Sequence, residues 1–246
     1  MVNICFITLE YPTNKACGAG IYAWNLTKNM AKLGHNVHVI TWGTLSLQKV
    51  DRLTVYRTRS YNKWVNLPPL FYQFLYLLSI PLTLAKIKAA HKIDVIHANS
   101  QFFSALICFL GHMLLPFLYG IPKFVTVHHL NYDEYLVEEK QLSKRKVFFN
   151  ARRFANVIES IVLKVADAII TVSNFTSQAM CRLYDVSNKP LFVIPNGVIP
   201  PATLPPQAFK HKTTDEIWLL SIGMNEPRKG YPILLEAFKK LSGTTV

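Results

Sequence analysis

The sequence predicts an α/β protein: a doubly wound parallel sheet, followed by the beginning of a second, truncated α/β unit. Three observations carry this expectation. Short runs rich in β-branched residues alternate with helical segments, the pattern of a parallel sheet covered on both faces. Half of the 246 residues are apolar, enough to bury the core of one large domain or two small ones. A proline-rich stretch then separates this alternation from one last strand-and-helix pair.

In chain order, the strand-like runs are Asn3 to Leu9, Asn36 to Trp42, Leu53 to Arg59, Asp94 to Asn99, Lys123 to His128, Ala168 to Ser173 and Leu191 to Ile194. The first helix is expected from near Ile21, with Ala23, Leu26, Met30 and Leu33 on one face, and a stop at Gly34. Leu67 to Ala85 and Phe102 to Ile121 approach the length needed to span a bilayer. Interruption by Pro68, Pro69, Gln73 and Pro81, and by Gly111, His112, Pro116 and Gly120, suits helices buried against a sheet instead. A later helix places Val147, Ala151, Phe154, Ile158, Ile161 and Val165 on one stripe. These elements predict a first domain over residues 1–198, a linker over 199–215 with five prolines between Pro195 and Pro206, and a second unit over 216–246. That unit holds a strand from Ile217 to Gly223 and a helix from about Tyr231, too little to bury a core of its own.

Charge narrows the partners. With 27 Lys and Arg against 14 Asp and Glu, and a pI near 9.6, phosphate-bearing ligands are favoured: nucleotides, nucleic acid or anionic lipid. Cys5, Cys17, Cys108 and Cys181 are far apart and form no CxxC pair, so neither a zinc site nor a disulfide framework is suggested. A reducing, cytoplasmic setting follows. The N-terminal run NICFITL has no basic region before it, against a signal peptide.

Four motifs bear on chemistry. GAGIYA, Gly18 to Ala23, matches G-x-G-x-x-A formally, but Glu10 to Cys17 separate it from the first strand, and Thr41, Trp42 and Gly43 stand where a ribose-binding acid would. Nicotinamide binding is thus disfavoured, while glycines at a helix start still let backbone amides approach a phosphate or sugar. A surface loop is the plainer reading. VTVHHL sets His128 and His129 at the carboxyl end of a strand, the ligand side of a parallel sheet, where alternation turns at most one of them to the crevice. A hydrogen-bonded structural histidine is the alternative. Lys144, Arg145, Lys146, Arg152 and Arg153 cluster at the start of an amphipathic helix, either as a solvated basic end or as a patch for anionic lipid headgroups. Arg228, Lys229 and Gly230 lie between strand and helix, where two cations and helix-end amides can surround a diphosphate.

Taken in order, YPTNKACGAGIYAWNLTKNMAKLGHNVHVIT, DVIHANS, VTVHH, ADAIITVSNFTSQAM, VIPNGV and IGMNEPRKGYPILLEAF resemble the retaining GT-B glycosyltransferases of family 4. The resemblance implies two Rossmann-like domains facing a cleft, with the acceptor on the first and a nucleotide-diphosphate sugar on the second. It implies Gly18 and Gly20 beside the diphosphate, with Arg228 and Lys229 holding it. Asn99, His128 and Asn196 fall on the acceptor or sugar side, with His128 and Lys229 in catalytic roles. It further implies glycosyl transfer with retention to a glycolipid or polysaccharide acceptor, with no metal, no separate cofactor and no nucleic-acid partner. The setting would be cytoplasmic, on the inner face of the cell membrane. Three departures stand out. Met224 replaces an arginine after Gly223, NGVIP lacks the usual acidic residue after valine, and the family's paired glutamates have no counterpart before Val246. These departures imply little activity for this chain alone, with downstream residues or a partner chain supplying the rest; a non-catalytic acceptor-binding or membrane-docking module is the other reading.

Overall fold

Eight strands form one sheet in the order β3-β4-β2-β1-β5-β6-β7-β8. They are β1 (Asn3–Ile7), β2 (Asn36–Trp42), β3 (Ser46–Val50), β4 (Leu53–Thr58), β5 (Val95–Asn99), β6 (Lys123–Val127), β7 (Ala168–Thr171) and β8 (Leu191–Val193). The computed structural model describes residues 1–12, 18–43, 46–58, 69–99, 105–106, 118–130, 146–198, 219–223 and 229–242, with the backbone alone over 69–75 and 146–154. The chain divides into two compact units, Met1–Ile199 and Pro200–Val246.

Every neighbouring pair in the sheet is parallel except β3 with β4. Parallel strands need covering on both faces, and alternation along β1 shows how this is met. Cys5 and Ile7 join a large cluster with Ile40, Ile96, Ala98, Val125 and Val127. Phe6 faces the other way, among Val37, Val39, Leu53 and Val55 under Ala23 of α1 (Gly18–Lys32). Fully burying a side chain such as Phe6 or Ile96 contributes about 1.5–3 kcal/mol, so the central strands hold much of the unit together.

Helix α2 (Pro69–Ala90) settles one of the two membrane-span readings. Tyr76, Ile80, Leu84 and Ile87 are buried at spacings of four, four and three, while Leu78 and Leu82 are exposed. It is a sheet-covering helix with Pro81 inside it; nearby, the Ser79 hydroxyl donates to the Tyr76 carbonyl and that of Thr83 to the Ser79 carbonyl. No helix among the described residues is long and apolar enough to cross a membrane. Most of Phe102 to Ile121 lies outside the described residues, although Ala105 and Leu118 are buried in the large cluster.

Several expectations are corrected. Helix α1 begins at Gly18, not Ile21, so Gly18 and Gly20 occupy its first turn rather than a preceding loop. Leu33 is exposed, and Thr27 takes the buried place, its hydroxyl 2.7 Å from that of Tyr11. Helix α3 (Lys146–Val165) buries Ile158, Glu159, Val162 and Leu163, a stripe rotated from the one predicted; Glu159 is accommodated because the Tyr184 hydroxyl donates to it at 2.5 Å. Strand β3 was missed because SLQKV is an exposed edge with no buried face to pattern it. It turns into β4 through Asp51 in the left-handed region, which aspartate tolerates. Helix α4 (Asn174–Tyr184) starts where Ser173 accepts from the Thr176 amide and ends at the left-handed Asp185.

In the second unit, helix α5 (Tyr231–Ser242) forms as expected, whereas Leu219–Gly223, the described part of the Ile217 to Gly223 run, is not a strand. A strand needs a ladder partner, and among the described residues of this unit none exists. Ile233, Leu234, Leu235, Phe238 and Leu241 of α5 are exposed.

Candidate active site

The carboxyl ends of β1, β5 and β6 meet the first turn of α1, and the residues gathered there form one hydrogen-bonded set. His128 follows β6 directly, and its Nε2 lies 2.9 Å from Asn99 Oδ1 at the end of β5. Asn99 is buried, and its amide nitrogen donates to the Ala19 carbonyl and the Thr8 hydroxyl, each at 3.3 Å. A carbonyl can only accept, so Asn99 must turn its NH2 to Ala19 and its Oδ1 to His128. His128 Nε2 therefore carries the proton, and Nδ1 is the ring's accepting nitrogen. Thr8 is itself held, its hydroxyl donating to the Glu10 carbonyl and its carbonyl accepting from the Tyr76 hydroxyl.

The His128 ring is also fixed from the side. Tyr22 of α1 meets it edge-on at 4.6 Å between ring centroids, and the Tyr22 hydroxyl is hydrogen-bonded to Thr126. Thr126 in turn lies 2.7 Å from Nε2 of buried His97. Alternation explains the grouping: Phe124, Thr126 and His128 share the face of β6 that looks towards α1, while His129 is exposed. Burial, reinforced by neighbouring His129, lowers the pKa of His128 to about 4. The ring is neutral at neutral pH. Gly20 is buried at the same helix start, where unpaired first-turn amides and the positive end of the helix favour an anion or a polar oxygen. No group of three or more residues suited to holding a metal occurs among the described residues.

The remaining sequence candidates are placed as follows. Asn196 is exposed beyond β8. Lys229 is exposed, immediately before Gly230, whose φ of 69° suits glycine and whose carbonyl accepts the first hydrogen bond of α5. Gly223 approaches the Tyr231 ring so closely that a Cβ there would stand 2.8 Å from the tyrosine hydroxyl. Arg228, Lys144 and Arg145 lie outside the described residues, and for Lys146, Arg152 and Arg153 only the backbone, within α3, is described. Sequence reasoning missed Thr8, Tyr22 and Thr126. The period-two rule that put one histidine on the ligand face would also have selected Thr126, two residues earlier.

Solved structures share this fold at low identity. Sucrose-phosphate synthase from Thermosynechococcus elongatus matches with a TM-score of 0.55 and 18% identity, over 79% of this chain and 48% of that one. The catalytic domain of starch synthase IV from Arabidopsis thaliana, bound to ADP and acarbose, matches with a TM-score of 0.53 and 13% identity, over 80% and 52%. WaaG, a glycosyltransferase involved in lipopolysaccharide biosynthesis, gives 0.53 and 13%, over 80% and 46%. The chain thus spans about half the length of these structures. No curated protein matches the sequence significantly. The sheet and its covering helices are those of a GT-B glycosyltransferase, and with residues 16–200 matching the model of Glycosyltransferase Family 4, the chain belongs to that family.

Proposed function

We propose that this chain is the acceptor-side part of a retaining glycosyltransferase that moves a sugar from a nucleotide-diphosphate donor to a glycolipid or polysaccharide acceptor. The observation that carries the reading is the neutral His128, oriented by Asn99 and Tyr22 at the carboxyl ends of the strands beside the α1 N-terminus. Glycosyl transfer passes through an oxocarbenium-like transition state, positive at the anomeric carbon. A neutral ring beside it avoids the repulsion an imidazolium would bring. Lys229 and Arg228, with the first amides of α5, would stabilise the departing diphosphate. In a front-face route that diphosphate takes the acceptor proton, so no carboxylate nucleophile is required.

The test is transfer by the complete protein, with the product's anomeric configuration read by NMR. Retention is expected, and His128→Ala should slow transfer by about 10-fold, the scale of one lost hydrogen bond plus lost positioning. An inverted product overturns the retaining assignment. Binding of acceptor without any transfer would favour the alternative, a non-catalytic acceptor-binding or docking module.

The excess of basic residues and the start of α3 support a place on the cytoplasmic face of a membrane, without crossing it. In flotation assays, binding to vesicles should require anionic lipid, weaken with salt, and drop when Lys144, Arg145, Lys146, Arg152 and Arg153 are neutralised, since each contributes about 1 kcal/mol near such a surface. Equal binding to neutral vesicles overturns the electrostatic attachment.

A further inference from the structure

Arg57 is the penultimate residue of β4, paired with Thr41 of β2 and Ser46 of β3. It therefore stands on the same carboxyl edge of the sheet as Thr8, Asn99 and His128. Its side chain is 4% exposed. A guanidinium carries five N–H donors and a permanent charge. Among the described residues it forms one hydrogen bond, from Nη2 to the Pro12 carbonyl at 3.1 Å, and the buried Nε has no acceptor. No carboxylate among the described residues pairs with it; the ion pair formed there is Lys92 with Asp94, at the opposite edge. The titratable neighbour that its charge acts on is the Tyr11 phenol, whose hydroxyl is engaged with Thr27.

Such an arrangement is costly. Charged side chains are almost never fully buried unless paired, and an unpaired buried donor forfeits its hydration, about 1–3 kcal/mol or more for a charged group. The fold nevertheless makes room for it. A Cβ at Gly43 would stand 3.2 Å from Arg57 Cδ and 3.4 Å from Nη1, so any side chain there would press on the guanidinium arm and shift it. Bracing the Pro12 carbonyl uses one donor of five and needs no positive charge. What remains, Nε with the adjacent nitrogens, is the fork that receives two oxygens of one anion.

We propose that Arg57 anchors an oxyanion, a phosphate or a carboxylate, carried by the acceptor of the transfer reaction. This rests on the proposed glycosyl transfer and names the acceptor's class: an acidic acceptor. Four strand spacings separate β4 from β6, so the anion sits about 19 Å along the sheet edge from the strand bearing His128, less the reach of the two side chains. The acceptor is accordingly extended, with its charge one or more sugar units away from the hydroxyl that reacts.

The test is calorimetric titration of the 246-residue chain with inorganic phosphate and, separately, with glucuronate, against chloride at matched ionic strength. Wild-type chain should bind at least one of them above the chloride background, and which one tells phosphate from carboxylate. Arg57→Met should weaken that binding by about 10-fold or more, the value of a bidentate charged pair, while Lys32→Ala, at the exposed far end of α1, leaves it in place. Should Arg57→Met fail to fold, Arg57→Lys keeps the charge without the fork, and Gly43→Ala crowds the guanidinium while retaining it; both should weaken binding. Folded variants that bind like wild type, or a wild-type chain that binds neither anion, overturn the proposal. Because the readout is binding, its failure is separable from that of the transferase reading: transfer without Arg57-dependent anion binding removes the anchor alone, and Arg57-dependent binding without transfer removes the reaction alone.

Discussion

Lys229→Ala should lower the transfer rate of the complete enzyme by roughly 100-fold or more, the loss found when one preorganised stabiliser of developing transition-state charge is removed. Lys229 is exposed at the entrance to α5, next to the left-handed Gly230, so its ammonium and the first amides of the helix can meet one diphosphate. Stopped or single-turnover kinetics should place the loss in the chemical step, because the leaving group's charge grows there. Met224→Arg should preserve or raise donor affinity, since methionine can neither donate to phosphate nor neutralise it. An inert Lys229→Ala in the complete enzyme overturns this account of the donor side.

Stability should fall as pH drops from about 6.5 towards about 4. Burial, helped by neighbouring His128, holds His97 near a pKa of about 4, and burial with neighbouring His91 and Lys49 does the same for His38. Both are depressed below the ordinary histidine value, so through this window the unfolded chain takes up protons that the folded one refuses. Stability therefore rises with pH, is fully present above about 6.5, and is lost as pH falls to the folded values. The loss is of order 2–3 kcal/mol for His97 and smaller for His38, whose shift solvent partly screens. Urea unfolding at about pH 7 and about pH 4.5 should show it, and His97→Gln should flatten the dependence whatever it does to stability at neutral pH. Equal stability at the two pH values overturns it.

Local pattern alone determined much of this molecule. Val37 to Ile40, Ile96 to Asn99 and Phe124 to Val127 lie in strands because β-branched runs bounded by helical periods have few other ways to be buried; Gly34 ends α1 because its φ of 92° suits glycine. The strand-end position of His128 was likewise readable from VTVHHL, as was the turn of one histidine of the pair towards the ligand side. Strand order is different, since it joins residues far apart in the chain. Asn99 reaches His128 across 29 positions and Thr8 across 91, and that juxtaposition sets the ring's tautomer, while burial in the assembled sheet, with neighbouring His129, keeps it neutral. Arg57 reads in sequence as one more basic residue on a polar strand end; it becomes a buried cation with no carboxylate partner among the described residues only when β2, β3 and β4 pair and Gly43 lies against it. Exposed β3 left no signal because neither of its faces is buried. Periodicity records which face of an element is covered, whereas hydrogen-bond partners and desolvation depend on what the fold brings from elsewhere to cover it.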